Sequence, residues 1–562
     1  LIVVPKGRSK KQFYLTLGLM LFVLLVFTVG GAFETSVGGL FGDEESNPVH
    51  LAWTDPTTQI RHEVPYDVFQ KRRAIIRNFP IIGHFRYILE SIGPELRQYI
   101  VTDNDEERPF SRDQRRWIYA SSKKENNYFG FGTDNELETA SNYIIIKHRV
   151  MGAGRSATGE AYGQGGADQT YPLPCAKILG GARGRARAFR PASAVNISAM
   201  SFGSLSGAAV SAMNQGAKLA GCLQNTGEGG ISPYHQKGGD LIWQLGTGYF
   251  GCRTENGGFD LDLFKERVET NPVRAVEIKL SQGAKPGLGG LLPGAKVTKE
   301  IARIRGVPMG KDVYSPAAHS AFGGVDEMLD FVEMLADATG LPIGIKSAVG
   351  EHRFWEELAN LMSKRDRGVD FISIDGGEGG TGAAPLAFSD HVALPFKVGF
   401  SRVYRIFAEA GIQENVVFMG SGKLGFPDNA MVAFALGCDT INVGREAMMA
   451  VGCIQAQRCH TGHCPTGVAT QNRWLVRGLD PTSKAARLAN YVITLRKEIL
   501  QLTRASGVAH PGLLSGDMIE ILDGRFGSAT LTELFGYQTE WGFPSEADRR
   551  EIVQVMEGGT PA

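Results

Sequence analysis

The 562-residue chain contains little cysteine and has no excess of charge of either sign. Seven cysteines, an odd number, do not make a disulfide framework, which favours a reducing compartment over a disulfide-stapled secreted domain. Lys plus Arg and Asp plus Glu both number 59, which removes the overall positive charge typical of nucleic-acid-binding proteins. Aliphatic residues are plentiful, so the 72 glycines indicate tight loops in a folded α/β chain rather than disorder. A small-molecule enzyme is the favoured class.

Three of the seven cysteines lie close together, at Cys453, Cys459 and Cys464. Thiolates are the soft ligands of iron–sulfur clusters, and closely spaced cysteines can surround one inorganic core. The spacing also suits a zinc site with His460 or His463 as the fourth ligand, or buried thiols that bind no metal. Spacing alone does not choose among these three interpretations.

A second feature is an apolar run without charge from Phe13 to Phe33. About twenty residues can cross roughly 30 Å of hydrocarbon as a helix, so we predict a membrane anchor at residues 1–35, followed by a linker and N-terminal extension at 36–170. A secretory signal is the alternative. The flanking charges place the body of the protein outside by the positive-inside rule, whereas a reduced iron–sulfur enzyme favours the opposite. We expect a single-pass anchor in the cell inner membrane with the catalytic part in the cytoplasm.

From residue 194 onward, apolar runs typical of strands alternate with helical patterns. Eight such runs predict an α/β fold of the (β/α)8 TIM barrel type over residues 171–512, with helical appendages that include a tail at 513–562. An open doubly wound sheet is the alternative, but the number of runs and their span favour a closed barrel. The predicted strands are 194–200, 223–226, 275–279, 312–315, 342–346, 370–375, 416–420 and 439–444.

Two lysines end predicted strands of this barrel, where the chemistry of such folds lies. Lys279 and Lys346 would lose hydration at an apolar barrel mouth unless each met an anion. The reduced ring of a flavin is such an anion. An internal ion pair with Glu277 or Asp375 is the alternative.

Glycine-rich turns follow the last three predicted strands. Phosphate in these barrels is often bound after strands seven and eight, where Ser421-Gly422 and Gly444-Arg445 lie. A third loop, Gly376–Gly382, would let a flat cofactor approach the backbone closely. Three such loops together favour a cofactor site over simple tight turns.

These residues together resemble the FMN-binding synthase domain of glutamate synthases, in the short, membrane-associated form of that family. The resemblance implies FMN beside a 3Fe–4S cluster in a (β/α)8 barrel. It also implies the reduction of 2-iminoglutarate, formed from 2-oxoglutarate and ammonia, to glutamate. The matching stretches are 197–204, 225–230, 277–287, 292–294, 375–377, 380–383 and the cysteine segment through 471.

The resemblance also implies roles for single residues. Cys453, Cys459 and Cys464 would be the cluster ligands. The implied catalytic residues are Lys279, Glu228 and Gln282, of which Lys279 would stabilise reduced flavin or polarise the 2-oxo acid, and Glu228 would manage protons at the imine nitrogen. The implied cofactor-binding residues are Ser198, Ala199, Met200, Ser201, Asn225, Thr226, Lys279, Lys346, Asp375, Gly376, Gly377, Gly380, Thr381, Ser421, Gly422, Gly444 and Arg445.

The expected partners follow from departures from the family pattern. No cysteine precedes Cys175, whereas glutamate synthases use an N-terminal cysteine to release ammonia from glutamine. We therefore expect ammonia, another amine or a separate amidotransferase subunit as the nitrogen source. Ferredoxin or another one-electron donor would supply electrons, and a run of four arginines, Arg183, Arg185, Arg187 and Arg190, could meet an acidic ferredoxin. A different amine or 2-oxo acid as substrate, and a non-catalytic role in a membrane complex, remain alternatives.

Overall fold

The computed structural model describes residues 52–54, 61–63, 75, 82–101, 106–150, 170–364 and 366–558. The chain divides into two units, residues 1–101 and 102–562. In the first unit, strands Ala52–Thr54 and Arg61–Glu63 pair antiparallel, and helix Ile82–Leu96 continues into a π-helical turn at Arg97–Val101. All of the predicted site residues belong to the second unit.

The second unit contains a closed barrel of eight parallel strands, which we number β1 to β8 in chain order. Consecutive strands are neighbours in the barrel, and β8 pairs with β1 to close it. The strands are buried on both faces, as expected when side chains fill the interior and helices cover the outside. The strands are β1 Val195–Ile197, β2 Gln224–Asn225, β3 Leu241–Leu245, β4 Val273–Lys279, β5 Ile343–Ser347, β6 Phe371–Asp375, β7 Val417–Ser421 and β8 Thr440–Val443.

The (β/α)8 prediction is confirmed, but one of the eight predicted strands is wrong. The run 312–315 supplies only Val313–Tyr314, which pairs antiparallel with Leu291–Leu292 outside the barrel. Its place is taken by β3, which was not predicted. Among the described residues β3 follows β2 without an intervening helix, so the helix–strand alternation that located the other strands is interrupted there.

Helices surround the barrel, and the longest of those described, Pro481–Ala505, packs along Gly207–Ala220. The long helix begins at Asp480, whose carboxylate accepts the backbone N–H of Ser483. The helices described in this unit are Arg112–Lys123, Gly207–Ala220, Leu261–Glu269, Lys299–Arg305, Val325–Thr339, Arg353–Met362, Leu386–His391, Phe396–Glu409, Pro427–Ala435, Arg445–Ala450, Arg473–Val476, Pro481–Ala505, Leu531–Phe535 and Glu546–Met556.

The tail predicted as helical also contains β-structure. Strand Ile519–Asp523 pairs antiparallel with Ser528–Thr530 on one side and with Ser141–Ile146 on the other. This three-stranded sheet joins the C-terminal tail to the N-terminal extension, so the two segments are parts of one folded unit.

Buried ion pairs close the N-terminal ends of the strands, which we call the closed end of the barrel. Lys177 lies 3.1 Å from Asp439, just before β8, and Arg185 lies 3.0 Å from Asp370, just before β6. Arg185 also lies 2.6 Å from Glu333. Both aspartates accept a backbone N–H near the start of a neighbouring strand. These charges therefore satisfy one another and the strand ends, which is a structural role.

The prediction of an inner-membrane location is wrong for the part of the chain that the structure describes. The predicted span, Phe13–Phe33, lies outside the described residues. Among the described residues, no helix is both long and apolar enough to cross a bilayer. The long helix Pro481–Ala505 has the length but carries six charged side chains, which would be costly in hydrocarbon.

Candidate active site

The C-terminal ends of the strands form the open end of the barrel, which we call the mouth. Because the strands are parallel, the predicted site residues outside the cysteine segment all lie on or just after the ends of these strands. Ser198 donates its backbone N–H to the carbonyl of Val443 at 2.9 Å, so the turns after β1 and β8 adjoin. Ala199 and Met200 are half-buried and Ser201 is buried in the turn after β1. The structure thus gathers residues from distant parts of the chain.

A buried polar network lies in the barrel below the mouth, centred on Glu277. This carboxylate is 1% exposed and accepts hydrogen bonds from three side chains. Thr226, predicted to bind cofactor, is also fully buried. Its hydroxyl oxygen accepts the backbone N–H of Gln244 and thereby links β2 to β3. The donors to Glu277 are Asn225 (2.8 Å), Gln244 (2.6 Å) and Ser373 (2.6 Å).

Lys346 forms an internal ion pair with Asp375, which is one of the two alternatives that the sequence left open. Its Nζ lies 3.4 Å from Asp375. Burial lowers the pKa of Lys346, but the carboxylates of Asp375 and Glu277 outweigh burial and raise it overall. Asp375 also accepts hydrogen bonds from Ser421 Oγ at 2.5 Å and from the backbone N–H of Gly283 at 3.0 Å. Lys346 is therefore held charged beside the ends of β6 and β7.

Three cations surround the single carboxylate of Glu228. Lys279 Nζ lies 3.0 Å from Glu228 Oε2, and Lys285 Nζ lies 3.9 Å from Oε1. Burial raises the pKa of Glu228, but Lys279 and Lys285 outweigh it and hold the pKa at about 2. Burial lowers the pKa of Arg305 to about 10, and Glu228 is the carboxylate that opposes this. Three positive charges against one negative charge make this part of the mouth fit an anionic ligand.

Gln282 joins two loops of the mouth. Its Oε1 accepts a hydrogen bond from Lys279 Nζ at 3.1 Å, and its Nε2 donates to the carbonyl of Gly380 at 2.9 Å. The loop after β4 is thereby tied to the glycine-rich loop after β6. The three predicted catalytic residues, Glu228, Lys279 and Gln282, form one contact chain.

A hydrogen-bond chain behind the mouth fixes the backbone of Lys279. His319 Nε2 donates to the carbonyl of Lys279 at 2.9 Å, so Nδ1 accepts the hydroxyl proton of Tyr249 at 3.0 Å. The Tyr249 oxygen in turn accepts the backbone N–H of Ala321 at 3.1 Å. Burial lowers the pKa of His319, which favours the neutral ring that this chain requires. Tyr249 and His319 are therefore positioning residues for Lys279.

Two cations without a carboxylate partner lie between the β7 and β8 ends. Lys423 Nζ and Arg445 Cζ lie over the ring of Phe110, 5.3 Å and 4.9 Å from its centroid. Neither forms an ion pair with a carboxylate of the described residues, although Arg445 donates to the carbonyl of Glu378. Burial and the charge of Arg445 lower the pKa of Lys423. Adjacent half-buried cations of this kind fit a phosphate group.

The glycine-rich loop after β6 reaches both this cation pair and the cysteine segment. A Cβ on Gly380 would lie 2.5 Å from Arg445 Cδ, so only glycine allows this approach. A Cβ on Gly382 would lie 3.2 Å from the Cβ of Cys459. The predicted flavin loop and the predicted cluster segment are thus in direct contact.

The three clustered cysteines are free thiols in the segment that follows helix Arg445–Ala450. Burial raises the pKa of Cys453 to about 12. Burial also acts on Cys464, but backbone N–H groups that approach its sulfur outweigh burial and lower its pKa. Within the described ranges, no three His, Cys, Asp or Glu side chains come close enough to hold one metal ion. The described residues therefore show a ligand set neither for zinc nor for an iron–sulfur cluster, and both interpretations of the cysteines stay predictions.

A buried cation faces the cysteine segment. Lys296 is 8% exposed, and its Nζ donates to the carbonyl of Cys459 at 2.8 Å. It forms no ion pair with any carboxylate that the structure describes. Burial lowers its pKa, and the groups that oppose this are Cys459 and Cys464. Because an unpaired buried ammonium is costly, the arrangement fits anionic thiolates at these cysteines.

The N-terminal extension holds the cysteine segment in place. Gln455 is 7% exposed and donates from Nε2 to Glu107 Oε1 at 3.1 Å and to the Phe110 carbonyl at 3.0 Å. Its Oε1 accepts the Phe110 N–H at 3.2 Å. Tyr119, on helix Arg112–Lys123, donates its hydroxyl to the Cys453 carbonyl at 2.9 Å. Residues 107–119, predicted as part of an extension without a site role, thus belong to the site.

A family comparison agrees with this geometry. The conserved region in glutamate synthase matches residues 185–509, which is more than half of the chain. The chain belongs to the glutamate synthase family. It is a glutamate-synthase-like oxidoreductase, of the class that acts on CH–NH2 donors. The matched region contains the barrel and the cysteine segment. Tyr119 and the residues 107–110 that bind Gln455 precede the matched region.

Individual relatives cover this chain to different extents. The glutamate synthase large subunit-like protein YerD of Bacillus subtilis is 40% identical over 468 residues, which are 79% of this chain and 89% of that protein. The archaeal glutamate synthase (NADPH) of Methanocaldococcus jannaschii is 36% identical over 320 residues, 56% of this chain and 59% of that protein. The flavin-binding domain of baker's yeast flavocytochrome b2 has a TM-score of 0.39 at 14% identity, over 73% of this chain and 79% of that domain.

Several charged or titratable residues of the site were not predicted, among them Lys285, Lys296, Arg305, His319 and Lys423. Lys285 and Lys423 lie in stretches already singled out in the sequence, next to Gln282 and Gly422, so their positions could have been found. Arg305 and His319 lie in the long segment that connects β4 to β5, where the sequence shows no strand-end pattern. Only the tertiary structure brings this segment, with Arg305 and His319, next to the mouth.

Proposed function

We propose that this chain reduces 2-iminoglutarate, formed from 2-oxoglutarate and ammonia or delivered by an amine source, to glutamate. The observation that carries the proposal is the excess positive charge at the mouth, where Lys279, Lys285 and Arg305 share Glu228. A 2-oxo diacid brings two negative charges and would balance this excess. When bound, FMN would supply the hydride for the imine carbon, and a 3Fe–4S cluster would supply electrons one at a time.

The mouth residues would have different roles toward the substrate. Lys279 would polarise the 2-oxo or imino group, because its Nζ is held by Glu228 and Gln282 and its backbone by His319. Glu228, with a pKa of about 2, is ionised at neutral pH and would accept an N–H of ammonia or of the iminium group rather than donate a proton. Lys285 and Arg305 would hold the substrate carboxylates.

The fit to FMN rests on the phosphate position and the close loops. Lys423 and Arg445 would hold the phosphate, since both are cations without a carboxylate partner among the described residues. Gly380 would lie along the cofactor, because its loop already touches Arg445. The predicted residues at these strand ends that would adjoin the cofactor are Ser198, Ala199, Met200, Ser201, Lys346, Asp375, Gly376, Gly377, Thr381, Ser421, Gly422 and Gly444.

The fit to a cluster rests on the cysteine segment and Lys296. Cys453, Cys459 and Cys464 would be the ligands, and their negative charge would supply the anion that Lys296 lacks. The contact between Gly382 and Cys459 would keep the cluster close to the flavin loop. A ferredoxin or another one-electron donor would deliver electrons, and a separate amidotransferase subunit would be one source of ammonia.

The test is anaerobic purification of the full chain, followed by turnover. We expect bound FMN, iron and sulfide, and glutamate formation from 2-oxoglutarate and ammonium with reduced methyl viologen as the electron source. Pyruvate and oxaloacetate, which lack the second carboxylate or carry it one carbon closer, serve as matched substrates. A protein without flavin, or one that forms no glutamate while reducing another 2-oxo acid, would refute the proposal.

A further inference from the structure

We propose that an acidic one-electron carrier protein docks on a basic surface beside the cysteine segment. We define the basic surface by Arg116 and Lys123 on helix Arg112–Lys123 and by Lys484 and Arg487 on helix Pro481–Ala505. The inference rests on the proposed function, because it assigns the entry point of electrons to the proposed cluster.

The charge of helix Arg112–Lys123 departs from that of the whole chain. Lys plus Arg equals Asp plus Glu over the full sequence, yet this helix carries four basic residues and a single acidic one, Asp113. Of the four, the buried Arg115 has a carboxylate partner that is itself buried, Glu107 at 2.6 Å. Its basic face lines an open cavity of about 430 Å³. Arg116 and Lys123 are exposed to solvent. The helix therefore presents a concave, positively charged surface.

The neighbouring helix extends the same charge. Asn490 of helix Pro481–Ala505 donates to the carbonyl of Ser122 at 3.0 Å, which fixes the two helices side by side. Burial lowers the pKa of Lys484, and the positive charges of Arg487 and Lys123 lower it further. Two carboxylates on or next to these helices are already bonded, Glu107 to Arg115 at 2.6 Å and Glu498 to Trp117 and Asn127, and Glu125 forms an exposed 3.6 Å pair with Lys123.

The basic surface adjoins the first cysteine of the segment. Tyr119 lies on the same helix face as Arg112 and Lys123, and its hydroxyl donates to the Cys453 carbonyl at 2.9 Å. From the other helix, Lys484 Nζ lies 3.3 Å from the position of a Cβ on Gly452, the residue before Cys453. A carrier docked here would stand next to the segment from which the proposed cluster is built.

The arginine run that the sequence offered for this role lies at the closed end of the barrel. Arg185 is paired there with Glu333 and Asp370. Arg190 lies 2.6 Å from Glu551 and donates to two backbone carbonyls. These carboxylates neutralise two of the four arginines of the run, and the run lies at the opposite end of the strands from the mouth. Docking of an acidic ferredoxin on the run therefore stays a prediction from the sequence.

Charge complementarity decides the class of partner. Redox partners meet over small, weak interfaces, and opposite charge steers them together and fixes their orientation. Such steering weakens with salt, because the Debye length falls to about 8 Å at physiological ionic strength. The surface therefore predicts an acidic carrier whose association with this protein is strongly salt-dependent.

The experiment uses the full chain and a plant-type [2Fe–2S] ferredoxin as the probe. Two double charge reversals, R116E/K123E and K484E/R487E, are compared with wild type, and R187E/K364E at exposed positions far from the cysteine segment is the control of equal charge change. Binding of oxidised ferredoxin is measured by calorimetry at low and high salt, and reduction of the protein by reduced ferredoxin and by reduced methyl viologen is measured by stopped flow. Circular dichroism melts check that each variant folds.

We expect both surface variants to lose at least about tenfold in ferredoxin affinity and association rate at low salt, while the control and the methyl viologen rates are unchanged. Folded surface variants that bind ferredoxin as tightly as wild type would overturn the inference. So would a wild-type protein that binds ferredoxin no more tightly at low salt than at high salt. Missing iron or flavin would instead refute the proposed function, because binding is measured independently of turnover.

Discussion

The two ends of the barrel use the same charged residue types in different balance. At the closed end, Lys177 has Asp439, and Arg185 has both Glu333 and Asp370. At the mouth, three cations share Glu228, and the pair of Lys423 and Arg445 has no carboxylate partner in the part of the chain that the structure describes. Matched charge therefore marks the end that stabilises the fold, and unmatched charge marks the end that fits anions.

The physical reason is the cost of desolvating an ion. A buried ion pair with good geometry is tolerated without a ligand, and breaking it leaves an uncompensated charge. Cations gathered without counterions repel one another, so their positions are favourable only when a ligand brings negative charge. Mutations at the closed end should therefore change stability, whereas mutations at the mouth should change binding and catalysis.

The largest effect is expected at the closed end, for Lys177→Met. This change leaves the buried Asp439 without its cation and removes the donor to the carbonyls of Gln413 and Val416. We expect a loss of about 3–5 kcal/mol in the free energy of unfolding, measured by urea denaturation. Activity per folded molecule should be unchanged. A loss of activity without a loss of stability would contradict the structural role assigned to the closed end of the barrel.

The matching change at the mouth is Lys279→Met. We expect glutamate formation to fall about 10²–10³-fold, because a preorganised cation at the reacting group is removed. The free energy of unfolding should change much less than in Lys177→Met, since Glu228 keeps Lys285 nearby. Steady-state kinetics and urea denaturation on the same preparations give both values. Equal destabilisation by the two substitutions would contradict the division between the ends.

A smaller effect is expected from acid, through His510 near the closed end. His510 Nε2 donates to the Pro174 carbonyl at 2.9 Å and Nδ1 accepts the Gly512 N–H at 3.0 Å, so the ring is neutral. Burial lowers its pKa from the ordinary 6.5 to about 4. The unfolded chain therefore binds the proton more readily, and the stability contributed by the neutral ring is complete above pH 6.5 and lost as the pH falls towards 4.

His510→Gln should flatten the acid side of the stability profile. Between pH 7 and pH 4.5, we expect wild type to lose about 2–3 kcal/mol more unfolding free energy than the variant. His148→Asn, at an exposed position, is the matched control and should leave the profile unchanged. If the free energy of unfolding depends on pH in the same way in wild type and in His510→Gln, then His510 does not cause the loss of stability in acid.

Much of the fold and part of the site could be predicted from the sequence, because the signals are local. Apolar runs ending in glycine or polar residues located seven of the eight barrel strands. Strand ends of a parallel barrel share one face, so Lys279, Ser421 and Gly444 could be placed at a common mouth before any coordinates were known. The cysteine spacing likewise marked a segment within the site, and its cluster remains a proposal.

The tertiary structure decided which charges are matched, because pairing depends on distances across the barrel that no local pattern records. Lys346 meets Asp375 and is satisfied, whereas Lys279 meets Glu228 together with Lys285 and the distant Arg305. The fold also brings Tyr119 from the N-terminal extension onto the Cys453 carbonyl. The strand pattern of the sequence determined which strand-end residues share the mouth. The packing of the loops and the N-terminal extension determined which further residues join them and which cations have no paired carboxylate among the described residues.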